Sequence, residues 1–330
     1  MDFRARYLDW MKGRCPTLGG LRFAVDCSNG MASLLVHELF PEAVVLNDTL
    51  DGTFPNHSPN PLKAEAREQV AACVRERGLD CGVIFDGDAD RAMFVDETGA
   101  FVQPDYLIPV VAEATRRADA SAARDRKTRA LGAQEPIENR KTRALQGKRP
   151  IVLHDVRTSR GAIEVLREKG FEPVMVPVGH AFAKPKMREL GALCGGELAG
   201  HYYFGEFFGC DSGVLAALRI LGEVAAAKTR GETFSALMRP IVSRYANSGE
   251  LNFKVEDKGA AIARVLAVAH AFGAETGRSE IDGVRLEFAD GWISVRKSNT
   301  EPYLRLLVEA DTSAKCAAWV RTLERAIGNG

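Results

Sequence analysis

The chain has 330 residues, 46% hydrophobic and 27% charged, a composition ordinary for a folded protein with more than one domain. Its 44 basic and 44 acidic residues cancel, so no overall charge would recruit nucleic acid or an anionic membrane. Any anion that the protein binds must therefore be held by a local site.

Apolar runs alternate with amphipathic stretches in the first part of the chain. This alternation predicts an α/β layer with a mostly parallel sheet. In chain order we predict a strand at 21–26, a helix at 31–40, strands at 44–46, a helix at 61–77, a strand at 80–85, a hairpin of strands 92–96 and 100–102, and a helix at 106–118.

A similar unit restarts at Pro150, and a different one follows at about Ser248. The predicted fold is two consecutive α/β domains with mixed, mostly parallel sheets, followed by a small α+β C-terminal domain, with bounds 1–118, 150–245 and 246–330. The predicted elements are strands at 151–154 and 172–178, helices at 160–169, 184–190 and 213–228, and C-terminal strands at 284–288, 292–297 and 303–309 between two helices.

Residues 119–149 interrupt this pattern. The stretch from Arg116 to Arg149 holds eleven basic and four acidic residues, and the sequence R-K-T-R-A-L occurs in it twice, from Arg126 and from Arg140. A nucleic-acid-binding arm is one interpretation. A solvated insertion or linker without its own core is the interpretation we adopt, since the stretch is poor in large apolar residues.

The seven cysteines form no C-x-x-C pair and are odd in number. This pattern favours free thiols in a reducing compartment over disulfides or a zinc site. The N-terminus shows no apolar export segment, and no run approaches the roughly 18 apolar residues of a membrane span. We therefore expect a cytoplasmic protein with no membrane and no nucleic-acid partner.

The strongest local signal is the acidic loop, Asp86 to Arg91 (D-G-D-A-D-R), which follows an apolar strand. Three carboxylates at alternate positions would repel one another unless a cation lay between them. Hard oxygen ligands of this kind suit Mg²⁺, with Asp86, Asp88 and Asp90 as its ligands, and Arg91 could bind a phosphoryl oxygen.

Three other interpretations of the acidic loop stay open. An EF-hand would place Glu97 at position 12, but Arg91 stands where that loop needs glycine, and a strand precedes it. An aspartyl phosphatase of the D-x-D-x-T type would need threonine where Asp90 stands. The third interpretation is a solvated acidic turn without a ligand. Three acids clustered directly after a buried strand are, however, costly to ionise without a partner.

Three further loops carry polar groups that could bind a phosphorylated sugar. One places a carboxylate and an imidazole between glycines. A second concentrates guanidinium, hydroxyl and amide groups between two predicted strands, and a third offers a histidine that is suited to acid–base chemistry but could equally be structural. The candidates are Gly196, Glu197 and His201 in the first, Arg296, Ser298, Asn299 and Thr300 with Arg305 in the second, His180 and Lys184 in the third, and Arg157 after another strand.

Taken in this order, the four loops resemble those of the α-D-phosphohexomutases of the bacterial phosphomannomutase/phosphoglucomutase type. V-D-C-S-N-G-M-A at Val25 to Ala32 and D-G-T-F-P-N-H-S-P-N-P at Asp51 to Pro61 are similar too. The resemblance covers nearly the whole chain except 118–149. It implies a four-domain protein whose second, third and fourth domains are present here.

The resemblance also implies roles for the candidate residues. Asp86, Asp88 and Asp90 would ligate Mg²⁺, and Glu197 and His201 would face the sugar. His180, Arg91 and Lys184 would lie near the reacting group. The second loop and Arg305 would hold the phosphate that does not react, and alanine within D-G-D-A-D-R would favour mannose and glucose over glucosamine.

The implied reaction interconverts hexose 6-phosphate and hexose 1-phosphate by way of a hexose 1,6-bisphosphate. The family's phosphoserine lies in a T-A-S-H-N-P-like loop, and these 330 residues contain no such segment. Ala199 also replaces the usual serine of the sugar loop. We therefore expect a truncated mutase that is inactive or weak alone; the alternatives are a non-catalytic sugar-phosphate-binding protein, or a subunit that needs a phosphoserine domain from another chain.

Overall fold

A computed structural model describes residues 2–129, 149–298 and 302–328, and side chains outside 122–129. We call residues 2–129 the first unit, 149–245 the second unit and 246–328 the third unit. The predicted fold class is confirmed: two α/β units with mixed sheets precede a unit built on an antiparallel sheet. Within the described residues the α-helices are Phe3–Lys12, Val36–Leu39, Ala64–Arg77, Ile108–Arg129, Arg160–Glu168, His180–Leu190, Gly213–Thr229, Phe234–Val242, Lys258–Ala269 and Ser313–Gly328.

The first and second units have the same sheet topology. In each, three neighbouring strands are parallel and two antiparallel strands complete one edge. The strand orders are β2-β1-β3-β4-β5 and β7-β6-β8-β9-β10. The strands are β1 Phe23–Asp26, β2 Val44–Leu46, β3 Cys81–Phe85, β4 Ala92–Asp96, β5 Phe101–Val102, β6 Ile151–Asp155, β7 Glu172–Val176, β8 Cys194–Gly196, β9 Tyr202–Phe204 and β10 Cys210–Asp211.

This repeat explains where the candidate loops lie. The acidic loop follows β3, and the loop of Glu197 and His201 follows β8, so the two loops occupy equivalent places in the two sheets. Side chains that follow the carboxyl ends of parallel strands are exposed at one edge of a sheet, which is the usual position of ligand sites in α/β proteins.

One hydrophobic core joins the first two units. Helix Gly213–Thr229 belongs to the second unit but packs against helix Ile108–Arg129 and against β3 and β4 of the first. It is apolar around most of its circumference, as expected for a helix that is covered on several sides. Its first turn is capped by the Ser212 hydroxyl, which accepts from the Leu215 N–H. The two units therefore form one packed body.

The third unit has its own core. Its six-stranded antiparallel sheet has the order β11-β16-β15-β14-β13, with β12 also paired to β16, and two helices pack against it. Trp319 from the last helix stacks on Phe272 at 4.4 Å between ring centroids. The strands are β11 Ala246–Asn247, β12 Leu251–Lys254, β13 Gly277–Ser279, β14 Val284–Phe288, β15 Gly291–Lys297 and β16 Tyr303–Ala310.

Several predicted elements differ from the structure. The helix expected at 31–40 is broken at Leu35 into a 3₁₀ turn and a short helix, and the N–H of Met31, at the start of the turn, donates to Gly87 of the acidic loop. The helix expected from Lys184 begins at His180, although Pro185 lies inside it. Helices Phe3–Lys12 and Phe234–Val242 were not predicted.

The helix expected to end at residue 118 continues to Arg129, into the predicted basic insertion. The rest of that insertion, 130–148, lies outside the described residues. Among the described helices, none is long and apolar enough to cross a membrane.

Candidate active site

The acidic loop is a tight connection between the antiparallel strands β3 and β4. Ala89 adopts a left-handed conformation with φ of 62°, which turns the chain sharply enough for the carboxylates to converge. Carboxylate oxygens of Asp86, Asp88 and Asp90 all lie within 4.8 Å of one another. A loop between two strands also excludes an EF-hand, which needs a helix on each side.

A single guanidinium lies among these three carboxylates. Nε of Arg91 is 2.6 Å from Asp86 and 3.8 Å from Asp90. Burial raises the pKa of Asp86, although the Arg91 charge opposes the rise. Burial also raises the pKa of Asp88, and the charge of Asp86 raises it further. A divalent cation among these converging oxygens would favour the ionised carboxylates, and the oxygen donors fit an ion such as Mg²⁺.

Two sequence motifs without an assigned role support the acidic loop. The Ser28 hydroxyl donates to the Phe85 carbonyl at 2.6 Å, and a Cβ at Gly30 would lie 2.4 Å from the Gly87 oxygen. Both residues belong to V-D-C-S-N-G-M-A. In the second motif, His57 lies 3.2 Å from buried Asp26, and the Phe54 ring packs against Gly87. These motifs fix the backbone that presents the three aspartates.

The loop after β8 meets the acidic loop directly. Arg91 and His201 form an isolated β-bridge, and the Ala92 N–H donates to the Gly200 carbonyl at 3.2 Å. Nδ1 of His201 lies 3.7 Å from Asp90. Backbone pairing thus places the predicted sugar-binding histidine beside the predicted metal ligands.

Asp211 joins the predicted histidine to the predicted lysine. It lies 3.1 Å from Nδ1 of His201 and 2.8 Å from Nζ of Lys184. Burial opposes its ionisation, but hydrogen bonds from His201 and Lys184 lower its pKa to about 2. Burial alone would lower the pKa of His201, but the hydrogen bond to Asp211 and the charge of Asp90 raise it. Asp211, the last residue of β10, was not predicted, although a lone acid between glycines in G-C-D-S-G could have drawn attention to it.

His180 is exposed at the start of its helix, with its ring centroid 6.4 Å from that of His201. It is therefore brought to the same side as Lys184 and His201. Gly196 is buried at the end of β8, where a Cβ would lie 2.7 Å from Ile108. Packing against the first unit thus requires glycine at this position, and the predicted substrate contact of Gly196 stays a prediction.

Glu197 connects the sugar loop to a buried ion pair. Its carboxylate accepts from the Tyr203 hydroxyl and lies 3.7 Å from Arg157. Asp155 holds Arg157 through a 3.0 Å bond to Nε and also accepts from the Leu198 N–H at 3.1 Å. Burial and the charge of Asp155 raise the pKa of Glu197. Asp155, two residues before the predicted Arg157, was not predicted as a site residue.

The predicted phosphate loop contributes two arginines from neighbouring strands. Arg296 of β15 and Arg305 of β16 are direct cross-strand partners. Nε of Arg296 is buried and has no hydrogen-bond partner among the described residues. Ser298 is also buried, and its N–H donates to the Tyr303 carbonyl at 2.9 Å. Asn299 and Thr300, two further predicted ligands, lie outside the described residues.

Arg157, Arg296 and Arg305 converge on one carboxylate, that of Glu250. The three distances from guanidinium nitrogen to carboxylate oxygen are 3.5, 3.2 and 3.0 Å. We call these three arginines the arginine cluster. Glu250 was not predicted, because a single glutamate after glycine carries no recognisable signal in the sequence.

Two sets of ion pairs, joined through the loop after β8, lead from the acidic loop to the arginine cluster. The series runs from Asp90 to His201, which shares its loop with Glu197, and from Glu197 to Arg157 and Glu250. Successive ion pairs along it are separated by 3.7, 3.7 and 3.5 Å. An arrangement with a cation site at one end and a phosphate-sized cationic site at the other suits a phosphorylated sugar.

Comparison with known proteins finds three domain models of one family along the chain. Family models of phosphoglucomutase/phosphomannomutase match residues 5–99 as alpha/beta/alpha domain II, 135–245 as alpha/beta/alpha domain III and 250–326 as the C-terminal domain. These matches confirm the family resemblance of the four loops.

Curated relatives and solved structures agree. The phosphohexose mutases of Xanthomonas campestris pv. campestris are 36% identical over 297 residues, covering 89% of this chain and 59% of that protein. The phosphomannomutase/phosphoglucomutase of Pseudomonas putida is 32% identical over 315 residues, covering 94% and 61%. A phosphoglucomutase/phosphomannomutase family protein from Burkholderia thailandensis superposes with a TM-score of 0.78 at 30% identity, covering 99% and 64%.

The chain spans about three fifths of the length of the curated relatives that it matches. The matched region includes the acidic loop, the loop after β8 and the arginine cluster, and family models cover most of the first two units and of the third. On these sequence and structural matches, the chain belongs to the phosphoglucomutase/phosphomannomutase family.

Proposed function

We propose that this chain is the metal-binding, sugar-binding and phosphate-binding part of an enzyme that interconverts hexose 6-phosphate and hexose 1-phosphate, with glucose or mannose as the hexose. The observation that carries the proposal is that ion pairs on both sides of the loop after β8 link this loop to the acidic loop and to the arginine cluster. The free, mostly buried cysteines favour the cytoplasm as its compartment.

Each part of this series has a chemical task. The arginine cluster binds the phosphate that does not react, as charge-assisted hydrogen bonds from guanidinium groups are suited to do. Glu197 accepts hydrogen bonds from sugar hydroxyls. His180 exchanges a proton with the reacting hydroxyl, while Arg91 and Lys184 bind oxygens of the phosphoryl group that moves.

Asp86, Asp88 and Asp90 would hold Mg²⁺, which when bound offsets negative charge on the transferred phosphoryl group. The phosphoserine that donates this group must come from a segment other than these 330 residues. We therefore propose that the purified chain binds Mg²⁺ and hexose phosphate but turns over little hexose 1-phosphate alone.

Calorimetric titration tests binding. We expect Asp88→Asn to weaken Mg²⁺ binding more than about tenfold, because it removes one of three charged ligands. We expect Arg296→Ala to weaken glucose 6-phosphate binding about 10- to 100-fold, whereas Arg278→Ala, at an exposed position of the same sheet, should not change it. Unchanged affinities in both site variants would contradict the proposed function.

A mutase assay separates the enzyme from its alternative. With glucose 1,6-bisphosphate as primer, we expect negligible conversion of glucose 1-phosphate by the chain alone and conversion when a phosphoserine domain of a relative is added. Rapid conversion by the chain alone would contradict the need for that domain. Normal ligand binding with no conversion in the supplemented assay would instead favour a non-catalytic sugar-phosphate-binding protein.

A further inference from the structure

Glu250 occupies the position where the arginine cluster would bind an anion. Its Oε1 accepts from Arg157 at 3.5 Å and from Arg296 at 3.2 Å, and its Oε2 accepts from Arg305 at 3.0 Å. One side chain thus contacts a guanidinium group of the second unit and two of the third. A phosphate group that entered the cluster would need the same donors.

The arginine cluster needs an anion for its own stability. Arg296 and Arg305 lie directly opposite one another on neighbouring strands, and like charges in that arrangement repel. Arg157 and Arg296 have only 4% and 3% of their side-chain surface exposed, so water screens this repulsion poorly. Asp155 compensates Arg157, and Asp282 lies 3.9 Å from Arg296, but Glu250 contacts all three arginines.

A β-bulge in the backbone before Glu250 orients its side chain towards the arginine cluster. Asn247 pairs with Glu309 and Leu251 pairs with Leu306, so residues 248–250 lie opposite only Leu307 and Val308. This is a β-bulge, and Gly249 within it has a φ of 68°, which favours glycine. Bulges commonly redirect one side chain of a strand, and this one directs Glu250 towards Arg305 of the partner strand.

We propose that Glu250 is an internal substitute for the substrate's phosphate. When no ligand is bound, its carboxylate neutralises the arginine cluster. When a phosphate group enters, the arginines donate to the phosphate instead of to Glu250, and they bind Glu250 again when the phosphate leaves. The inference rests on the proposed function, because it takes the arginine cluster as the phosphate site. Glu250 is then a positioning residue that lowers phosphate affinity and favours release.

Calorimetric titration of glucose 6-phosphate in the presence of Mg²⁺ tests this role. We expect Glu250→Gln, which keeps the size of the side chain but removes its charge, to bind about three- to tenfold tighter than the unsubstituted chain. Glu256→Gln is the matched control, since it removes the same charge from an exposed position of the same segment. Its affinity should not change.

Thermal unfolding gives a second readout. Without ligand, we expect Glu250→Gln to unfold at a lower temperature than the unsubstituted chain, because the arginines then repel one another. Inorganic phosphate should raise the unfolding temperature of this variant more than that of the unsubstituted chain. If Glu250 had a purely structural role, the substitution would lower the unfolding temperature equally in the absence and in the presence of inorganic phosphate.

Different failures have different meanings. Equal or weaker binding of glucose 6-phosphate by Glu250→Gln would reject the internal substitute while leaving the proposed function intact. Absence of binding by the unsubstituted chain would reject the proposed function and this inference together. If Glu250→Gln does not fold, Glu250→Asp, whose charge is one methylene farther from the arginines, should still bind more tightly than the unsubstituted chain, and equal affinity would reject the inference.

Discussion

The two seams between the units are built differently. The first and second units share one apolar core and pair their backbones at Arg91 and His201. The second and third units meet over a small apolar cluster of Leu198, Trp292 and Leu307. Around this cluster the two units are joined by hydrogen bonds from side chains, as in the bonds from Arg285 to the Val156 and Thr158 carbonyls.

Because of this difference, the two ends of the site differ in how easily the units that form them can move relative to each other. Separating the first two units would expose a large apolar core, which is costly, so the acidic loop and the sugar loop stay fixed relative to each other. Separating the third unit exposes little apolar surface and breaks polar contacts that water or a phosphate group can replace. The arginine cluster is therefore the end that can adjust to its ligand.

The largest effect on this comparison should come from Arg285→Ala. Arg285 is buried, lies 3.6 Å from the centre of the Trp292 ring and bonds two carbonyls of the second unit. Its loss removes the donor to those two carbonyls and leaves Glu287 with Arg160 as its remaining ion-pair partner, so we expect unfolding to become easier by about 3–5 kcal/mol. In scanning calorimetry the third unit should then unfold in a separate, earlier transition.

The control for this variant is Arg278→Ala. Arg278 lies on β13 of the same sheet with 44% of its side chain exposed, and its loss should change stability by less than about 0.5 kcal/mol. A single, unshifted transition for Arg285→Ala would show that the second seam does not depend on this polar contact.

The first seam is tested by Gly213→Ala, with a smaller expected effect. A Cβ at Gly213 would lie 2.6 Å from the carbonyl carbon and oxygen of Arg91 and 2.8 Å from the Ala89 oxygen. The acidic loop must shift, and we expect a cost of about 1–3 kcal/mol in urea unfolding together with weaker Mg²⁺ binding.

Gly19→Ala provides the matched substitution in the first unit, since a Cβ at this exposed position would meet only Thr17, at an ordinary contact distance of 3.9 Å. It should leave both stability and Mg²⁺ affinity unchanged. Equal behaviour of the two variants would mean that the acidic loop tolerates movement, contrary to the rigid first seam.

The smallest expected effect concerns Asp105, a carboxylate of the first unit that accepts from the Ser159 N–H of the second at 2.9 Å. Burial raises its pKa to about 7; the Ser159 hydrogen bond opposes the rise, and the charges of Glu309 and Asp155 add to it. The folded protein therefore retains this proton at pH values where the unfolded chain has released it. Its contribution to stability is present at low pH and is lost as pH rises from about 4 to about 7.

Asp105→Asn removes this titration. We expect the free energy of unfolding of the variant, minus that of the unsubstituted protein, to be higher at pH 8 than at pH 5 by at least about 1 kcal/mol. Urea unfolding at the two pH values measures this difference. A difference that is the same at both pH values would show that Asp105 does not take up a proton at this seam.

Much of the fold followed from local patterns. The buried strand Cys81–Phe85, the end of the preceding helix at Arg77 and the hairpin after the acidic loop were all predicted, because each depends on neighbouring residues. The helix Phe3–Lys12 was missed since only Leu8 and Met11 of it are buried, and its apolar face is completed by contact with Phe207 in the second unit.

The site divides in the same way. The sequence by itself determined which groups could hold a cation or a phosphate. The charged residues of D-G-D-A-D-R, and the arginines of β15 and β16, are close enough in the sequence for their chemistry to be recognised there. Only the tertiary structure decided that Asp211 joins His201 to Lys184 and that Glu250 lies among three arginines. Such counter-charges come from distant parts of the chain, and a lone acid acquires its role only from the charges that folding places around it.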